Sequence, residues 1–243
     1  MEKKYEYEYT EHINPGVLSF KLTDDHINLI WRYIKRSASF FDGWTFDDNN
    51  KVLTSGQDQQ WTLYDTTKVF ENEVLIPAVN AYIDKWGYPM NIKTTHLPVP
   101  EFNRFWVRFS NIGDYHALHD HQAILSFVIW LNLPTSWEDE QEGKMGQKHP
   151  HASDFQLCYT DSIGRVRKQD YKLDRKGEKT MLLYPSDFHH QVYPHFTSDE
   201  FRVAVAGDVS ICSRYHLAAM PVHLEADIKA NNFISDNDYE GSK

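Results

Sequence analysis

Cysteine is nearly absent from this chain: two in 243 residues, Cys158 and Cys212. They could close one bridge at most, and a chain of this length buries enough surface to need none, so a reducing compartment is expected. Glycine (11) and proline (10) are scarce, which excludes collagen-like and low-complexity chains. No apolar run approaches the ~20 residues of a membrane-spanning helix. The first twelve residues, MEKKYEYEYTEH, lack the apolar segment of a secretion signal. The expectation is a cytoplasmic protein without a membrane partner. A basic excess is missing too: 25 Lys and Arg against 35 Asp and Glu leave a net charge of −10. Without a positive footprint for a phosphate backbone, nucleic acid is not an expected partner. Nothing in the composition indicates an oligomeric state.

What is present is a core and a surplus of histidine. Hydrophobic residues make up 41% and aromatics 14% of the chain, enough for one sizeable core. Residues 23–37 carry Ile27, Ile30, Trp31 and Ile34 at helical spacing, with Thr23 or Asp24 able to cap the start. A second helical stretch over 66–86 aligns Phe70, Val74, Ala78, Ala81 and Tyr82, and Pro77 either kinks or divides it. The polar stretch 42–60 between them reads as a loop. From Phe102 the texture changes. Residues 105–109, 124–133, 155–159, 181–184 and 202–211 are short, aromatic and β-branched, so strands are expected. No helix-length period separates them, which favours an antiparallel sandwich or barrel over a parallel sheet. The polar segment 134–153 reads as a lid or a disordered excursion, the charged segment 168–179 as a solvated hairpin or loop, and the last residues as a frayed tail.

Eight of the 13 histidines fall between positions 116 and 195, and the densest group is NIGDYHALHDH, residues 111–121, just before ILSFVIWLNL. In an extended segment residues i and i+2 share a face, so His119 and His121 would form a two-imidazole claw with Asp120 directed away. A third ligand must come from elsewhere, and YPSDFHHQVYP supplies His189 and His190. His149 and His151 have the same spacing but sit in a polar loop with no apolar strand behind them. Arg202 follows His190 by twelve residues and opens the strand RVAVAGDVS. There its guanidinium could pair bidentately with a carboxylate.

The order His-x-(Asp or His), a long gap, His, then Arg resembles the Fe(II)/2-oxoglutarate-dependent oxygenases, especially the prolyl-hydroxylase-like branch and bacterial and phage oxygenases with His-x-His. The resemblance rests on NIGDYHALHDHQAILSFVIWLNLP and TMLLYPSDFHHQVYPHFTSDEFRVAV. It implies an α+β fold with a mainly β core: a double-stranded β-helix, a jelly-roll or cupin-like barrel, supported by N-terminal helices. It implies one domain over 1–243, with a helical support region (1–100), the barrel core (101–213) and a C-terminal extension (214–243). The cofactors it implies are Fe(II), 2-oxoglutarate and O2. His119, His121 and His190 would be the metal ligands, His190 being preferred over His189 because HHQVYP then matches His-x-Val-x-Pro. Arg202 would hold the distal carboxylate of 2-oxoglutarate, and Trp130 stands where prolyl hydroxylases place a tyrosine that touches it.

Two departures stand out. The second ligand is usually a carboxylate, and Asp120 could supply one only through a bulge that turned it inward. Ala204 replaces the hydroxyl residue that many relatives carry two positions after the arginine. The activity implied is hydroxylation of an unactivated C–H bond, on a protein or peptide side chain such as proline or on a small-molecule substrate. A cupin-like metal-binding barrel, or a three-histidine dioxygenase without 2-oxoglutarate, is the alternative.

Overall fold

The computed structural model describes residues 14–39, 43–56, 59–88, 97–143 and 148–214, with side chains left out at 97–104 and 211–214. The expected frayed tail and the side chain of Cys212 lie outside the described residues, as does part of the 134–153 segment.

Helix α1 (Asp24–Ala38) starts where the Thr23 hydroxyl accepts from the His26 N–H at 3.3 Å, with Asp24 and Asp25 in the first turn and Lys35 and Arg36 in the last. Both charge placements oppose the helix dipole. Its buried face is the expected stripe of Ile27, Ile30, Trp31 and Ile34. The second helical stretch is divided. A π-helical segment, Glu71–Leu75, leads into α2 (Ile76–Trp86), so Pro77 stands in the first turn of α2, where its missing N–H costs no hydrogen bond. Gly87 ends α2 in the left-handed region at φ 65°.

Helices do not make up this N-terminal part alone. Strands β1 (Leu18–Lys21), β2 (Thr45–Phe46), β3 (Val52–Thr54) and β4 (Gln60–Thr62) interleave with them, and β2 and β3 pair inside the stretch read as a loop. The remaining strands are β5 (Leu97–Ser110), β6 (His116–His119), β7 (Leu125–Asn132), β8 (Asp154–Thr160), β9 (Val166–Lys172), β10 (Thr180–Pro185), β11 (His189–Val192) and β12 (Arg202–Arg214). They build two antiparallel sheets, a six-stranded one in the order β1-β10-β7-β12-β5-β4 and a four-stranded one in the order β6-β11-β8-β9. This is the expected double-stranded β-helix.

Period-two alternation divides the core into two layers. On β7, Leu125, Phe127, Ile129 and Leu131 pack with α1 and α2, and so do Met181 and Leu183 of β10 and Val203, Val205 and Val209 of β12. The other set, Val128, Trp130, Leu182 and Tyr184, meets Phe155 and Leu157 of β8 between the sheets. Because both faces of β7 are covered, residues 127–131 (FVIWL) read as an unbroken apolar run. The segment 134–153 is neither free lid nor excursion where it is described. It forms α3 (Trp137–Glu142), and the fully buried Glu140 accepts from the N–H groups of Phe196 and Thr197 and from the Thr197 hydroxyl. Residues 168–172 belong to the exposed edge strand β9, followed by a 3₁₀ turn at Arg175–Gly177. Among the described residues no helix is long and apolar enough to cross a membrane.

Candidate metal centre

The turn between β5 and β6 sets the first part of the site. Gly113 takes φ 82°, the Asp114 carboxylate accepts from the Asn111 N–H at 2.7 Å, and the Gly113 N–H donates to the His195 carbonyl. The chain then enters β6, which pairs with β11 and places His119 opposite His190. His121 follows two residues later, its N–H donating to the Ser186 carbonyl at 3.3 Å. The ring centroids of His119 and His190 are 4.2 Å apart, those of His121 and His190 5.0 Å, and those of His119 and His121 5.4 Å. One ligating nitrogen from each lies within 4.8 Å of the other two.

The second nitrogen of each ring fixes the tautomer. Nδ1 of His119 meets the Ala117 carbonyl at 2.7 Å and Nδ1 of His190 meets the Phe188 carbonyl at 3.3 Å. A carbonyl only accepts, so both Nδ1 atoms carry the proton and Nε2 carries the lone pair. His121 Nδ1 lies 2.6 Å from Oδ1 of Asp208, a fully buried carboxylate. Ser126 donates to the same oxygen at 2.9 Å and lies 2.8 Å from the Ser186 hydroxyl. A carboxylate behind a ligating imidazole orients the ring and raises its basicity. Burial and the neighbouring imidazoles push His190 down to about 3. It is therefore neutral near pH 7, the state in which an imidazole binds a cation. The donor set fits a transition metal.

Asp120 does not turn inward. Its carboxylate lies 3.5 Å from His189 Nε2, and both side chains are about half exposed. His149 stacks on Phe196, also away from the triad.

A cleft opens in front of the three imidazoles, and Arg202, Trp130, Arg108, Ser110, His116 and Tyr184 are among its walls. Arg202 is 3% exposed and donates from Nη1 to the Tyr193 carbonyl at 2.8 Å. No described carboxylate lies within ion-pair range of it. Burial pushes it down to about 10, so it stays cationic at neutral pH. A buried cation without a paired anion is costly, and the arrangement favours an anion in the cleft. Trp130, 3% exposed, packs edge-on to Phe155 at 5.6 Å. Ala204 faces the same cleft and leaves space. Across the β12–β5 ladder it is paired with Arg108, and Arg202 with Ser110.

Sequence reasoning missed Asp208, Arg108, Ser126 and Ser110. The signal for the first two was present, since Asp208 is the one carboxylate in RVAVAGDVS and Arg108 the one charge in FWVRF. Ser126 and Ser110 left no such mark.

Residues 104–208 match the sequence model of the family described as "Putative 2OG-Fe(II) oxygenase". No curated protein matches the chain. Among solved structures it is similar to a Pseudomonas putida prolyl-4-hydroxylase, at 12% identity and a TM-score of 0.47, over 82% of this chain and 93% of that one. It is also similar to a prolyl hydroxylase from Trichoplax adhaerens, solved in complex with a hypoxia inducible factor oxygen degradation domain peptide fragment, at 12% identity and a TM-score of 0.45, over 82% and 84%. A viral collagen prolyl hydroxylase of Paramecium Bursaria Chlorella virus-1, solved as a 2OG complex, aligns at 9% identity and a TM-score of 0.45, over 79% and 94%.

Proposed function

We propose a function from the premise that residues 104–208 belong to the 2OG-Fe(II) oxygenase family, so that the protein is a 2-oxoglutarate-dependent oxygenase with Fe(II), 2-oxoglutarate and O2 as its cofactors. His119, His121 and His190 hold the metal through Nε2, and Arg202 holds the distal carboxylate of 2-oxoglutarate. One observation carries this reading: three convergent imidazoles share a cleft with a buried guanidinium that no described carboxylate pairs. The bound metal and cosubstrate supply the oxidation, in which one oxygen atom of O2 enters a substrate C–H bond as 2-oxoglutarate is cleaved to succinate and CO2.

The chain's own residues bind, orient and exclude. Asp208 accepts the Nδ1 proton of His121 and so returns to the centre, one bond removed, the negative charge that a direct carboxylate ligand brings elsewhere. Arg108, opposite Ala204, supplies the polar contact that a hydroxyl at 204 would give. Trp130, Phe155 and Tyr184 keep the wall of the cleft dry.

The substrate in this reading is an extended segment of a peptide or protein, hydroxylated on a side chain such as proline. Strand β6 lies at the edge of its sheet, paired only with β11 among the described strands, and it carries the half-exposed Leu118 beside His119, with Tyr115 just ahead. An open edge next to a reactive centre suits strand addition by an extended chain. A cytoplasmic location belongs to the same reading and is supported by Cys158, a buried free thiol. The all-imidazole donor set favours one second reading, a three-histidine dioxygenase that does not use 2-oxoglutarate.

Proline-containing peptides and free amino acids, offered with Fe(II), 2-oxoglutarate and O2, test the substrate class. Succinate release coupled to a one-oxygen mass gain on a peptide is expected, with the Leu118→Ala variant raising KM for the peptide and leaving 2-oxoglutarate affinity unchanged. Coupled turnover of a free amino acid alone would contradict the peptide assignment.

A further inference from the structure

Outside this cleft, His151, Asp154 and Asp170 bring one imidazole nitrogen and two carboxylate oxygens within 4.8 Å of one another. The three come from different places. His151 lies in the turn before β8, Asp154 opens β8, and Asp170 lies on β9, diagonally across the ladder in which Asp154 pairs with Lys172 and Gln156 with Asp170.

The spacing does not describe a strong ion pair. His151 Nδ1 is 3.3 Å from Asp154 Oδ2 and 3.7 Å from Asp170 Oδ2, whereas a charge-assisted N–H···O bond closes to about 2.7–2.9 Å. The separations do resemble those between donors around a shared ion. Bonds of roughly 2.0–2.1 Å at tetrahedral angles set ligand atoms about 3.3 Å apart.

The remaining oxygens are held from behind. Trp137 Nε1 donates to Asp154 Oδ1 at 3.3 Å, and Gln156 Nε2 donates to Asp170 Oδ1 at 2.6 Å. Each carboxylate thus keeps Oδ2 for the centre. The Asp154 residue is 4% exposed. Among the described residues His151 is the only basic side chain in ion-pair range of either carboxylate, and the nearby Lys172 ammonium instead sits 3.3 Å from the centroid of the Trp137 ring.

We propose that His151, Asp154 and Asp170 form a second divalent-cation site of Zn2+-type N/O/O chemistry, with water completing the shell on the exposed side. The ion fastens the turn at 148–153 to the β8–β9 hairpin. It also lies behind the anion anchor of the cleft. The His151 ring stacks on Tyr193 at 5.1 Å, the Tyr193 N–H donates to the Asp154 carbonyl, and the Tyr193 carbonyl accepts from Arg202.

Zn2+ titration by calorimetry, with metal content measured after gel filtration, tests the site in the full chain. Wild type is expected to bind two Zn2+ and the His119→Ala/His121→Ala double variant one. Adding Asp170→Asn or Asp154→Asn to that double variant should weaken the remaining site at least tenfold, with circular dichroism unchanged. A double variant that binds no Zn2+, or whose remaining Zn2+ ignores both Asn substitutions, overturns the proposal. If the wild type binds one Zn2+ that Asp170→Asn removes and the double variant keeps, this site stands and the three-histidine centre fails.

Discussion

Asp208 concentrates more of the site's physics than any residue singled out from the sequence alone. It is fully buried, it receives the Nδ1–H of His121 at 2.6 Å, and the Ser126 hydroxyl holds the same oxygen. Its carboxylate orients the His121 ring, and in the proposed centre it would offset part of the positive charge of a cation held by three imidazoles. Asp208→Asn keeps the shape but replaces a charged acceptor by an amide that can present either end to the ring. Fe(II) affinity is expected to fall about 10–100-fold, read by anaerobic competition with a chelator, while the far-UV spectrum stays unchanged. Ser126→Ala should cost less, because one donor to Asp208 is lost and the charge remains. Equal affinity in Asp208→Asn and wild type would mean that Asp208 does not support the metal ligands. Its importance was illegible locally because His121 lies 87 positions away in sequence. A lone carboxylate in an apolar strand is only an anomaly until its partner is seen.

At the scale of elements, strands were visible in the sequence to the degree that both their faces are buried. β7, β10 and β12 lie in the middle of the large sheet, covered by helices on one side and by the small sheet on the other, so they hold the long apolar runs FVIWL, MLLY and VAVAG. β6 (HALH), β11 (HHQV) and β9 (VRKQDYK) are strands because of their partners in the small sheet, and their polar residues are the functional and solvent faces. β1 and β4 are short edge strands recruited by β10 and β5 from far along the chain, a pairing no local pattern announces. The segment around α3 is the other difference from expectation. Its polar composition concealed one buried anchor, Glu140, which satisfies the Phe196 and Thr197 N–H groups and the Thr197 hydroxyl. Glu140→Ala leaves those donors without a partner and is expected to lower unfolding free energy by about 3 kcal/mol, measured by urea denaturation. A loss under about 0.5 kcal/mol would mean that α3 is not held by this contact.

At the scale of the whole molecule, the residues that the resemblance nominated converge although they are scattered over 84 positions from His119 to Arg202. His119, His121, His190, Trp130 and Arg202 line one cleft between the two sheets, and Asp120 and His189, the competing ligands, pair with each other outside it. What the sequence left open was the support: which groups orient the imidazoles, which side chain stands across the ladder from Ala204, and what keeps the guanidinium of Arg202 in place. Those answers depend on the cross-strand register of β12 against β5 and β7, and register is a property of the folded sheet. In the proposed function, one cleft gathers a three-histidine metal centre and an arginine anchor for 2-oxoglutarate. Anaerobic titration of the Fe(II)-loaded protein with 2-oxoglutarate, followed by visible absorption, tests it most directly. A weak metal-to-ligand charge-transfer band is expected to appear in wild type, to vanish in His121→Ala, and to require far more 2-oxoglutarate in Arg202→Ala. Folded, iron-loaded wild-type protein that shows no such band, or a band indifferent to both substitutions, would overturn the assignment of this cleft.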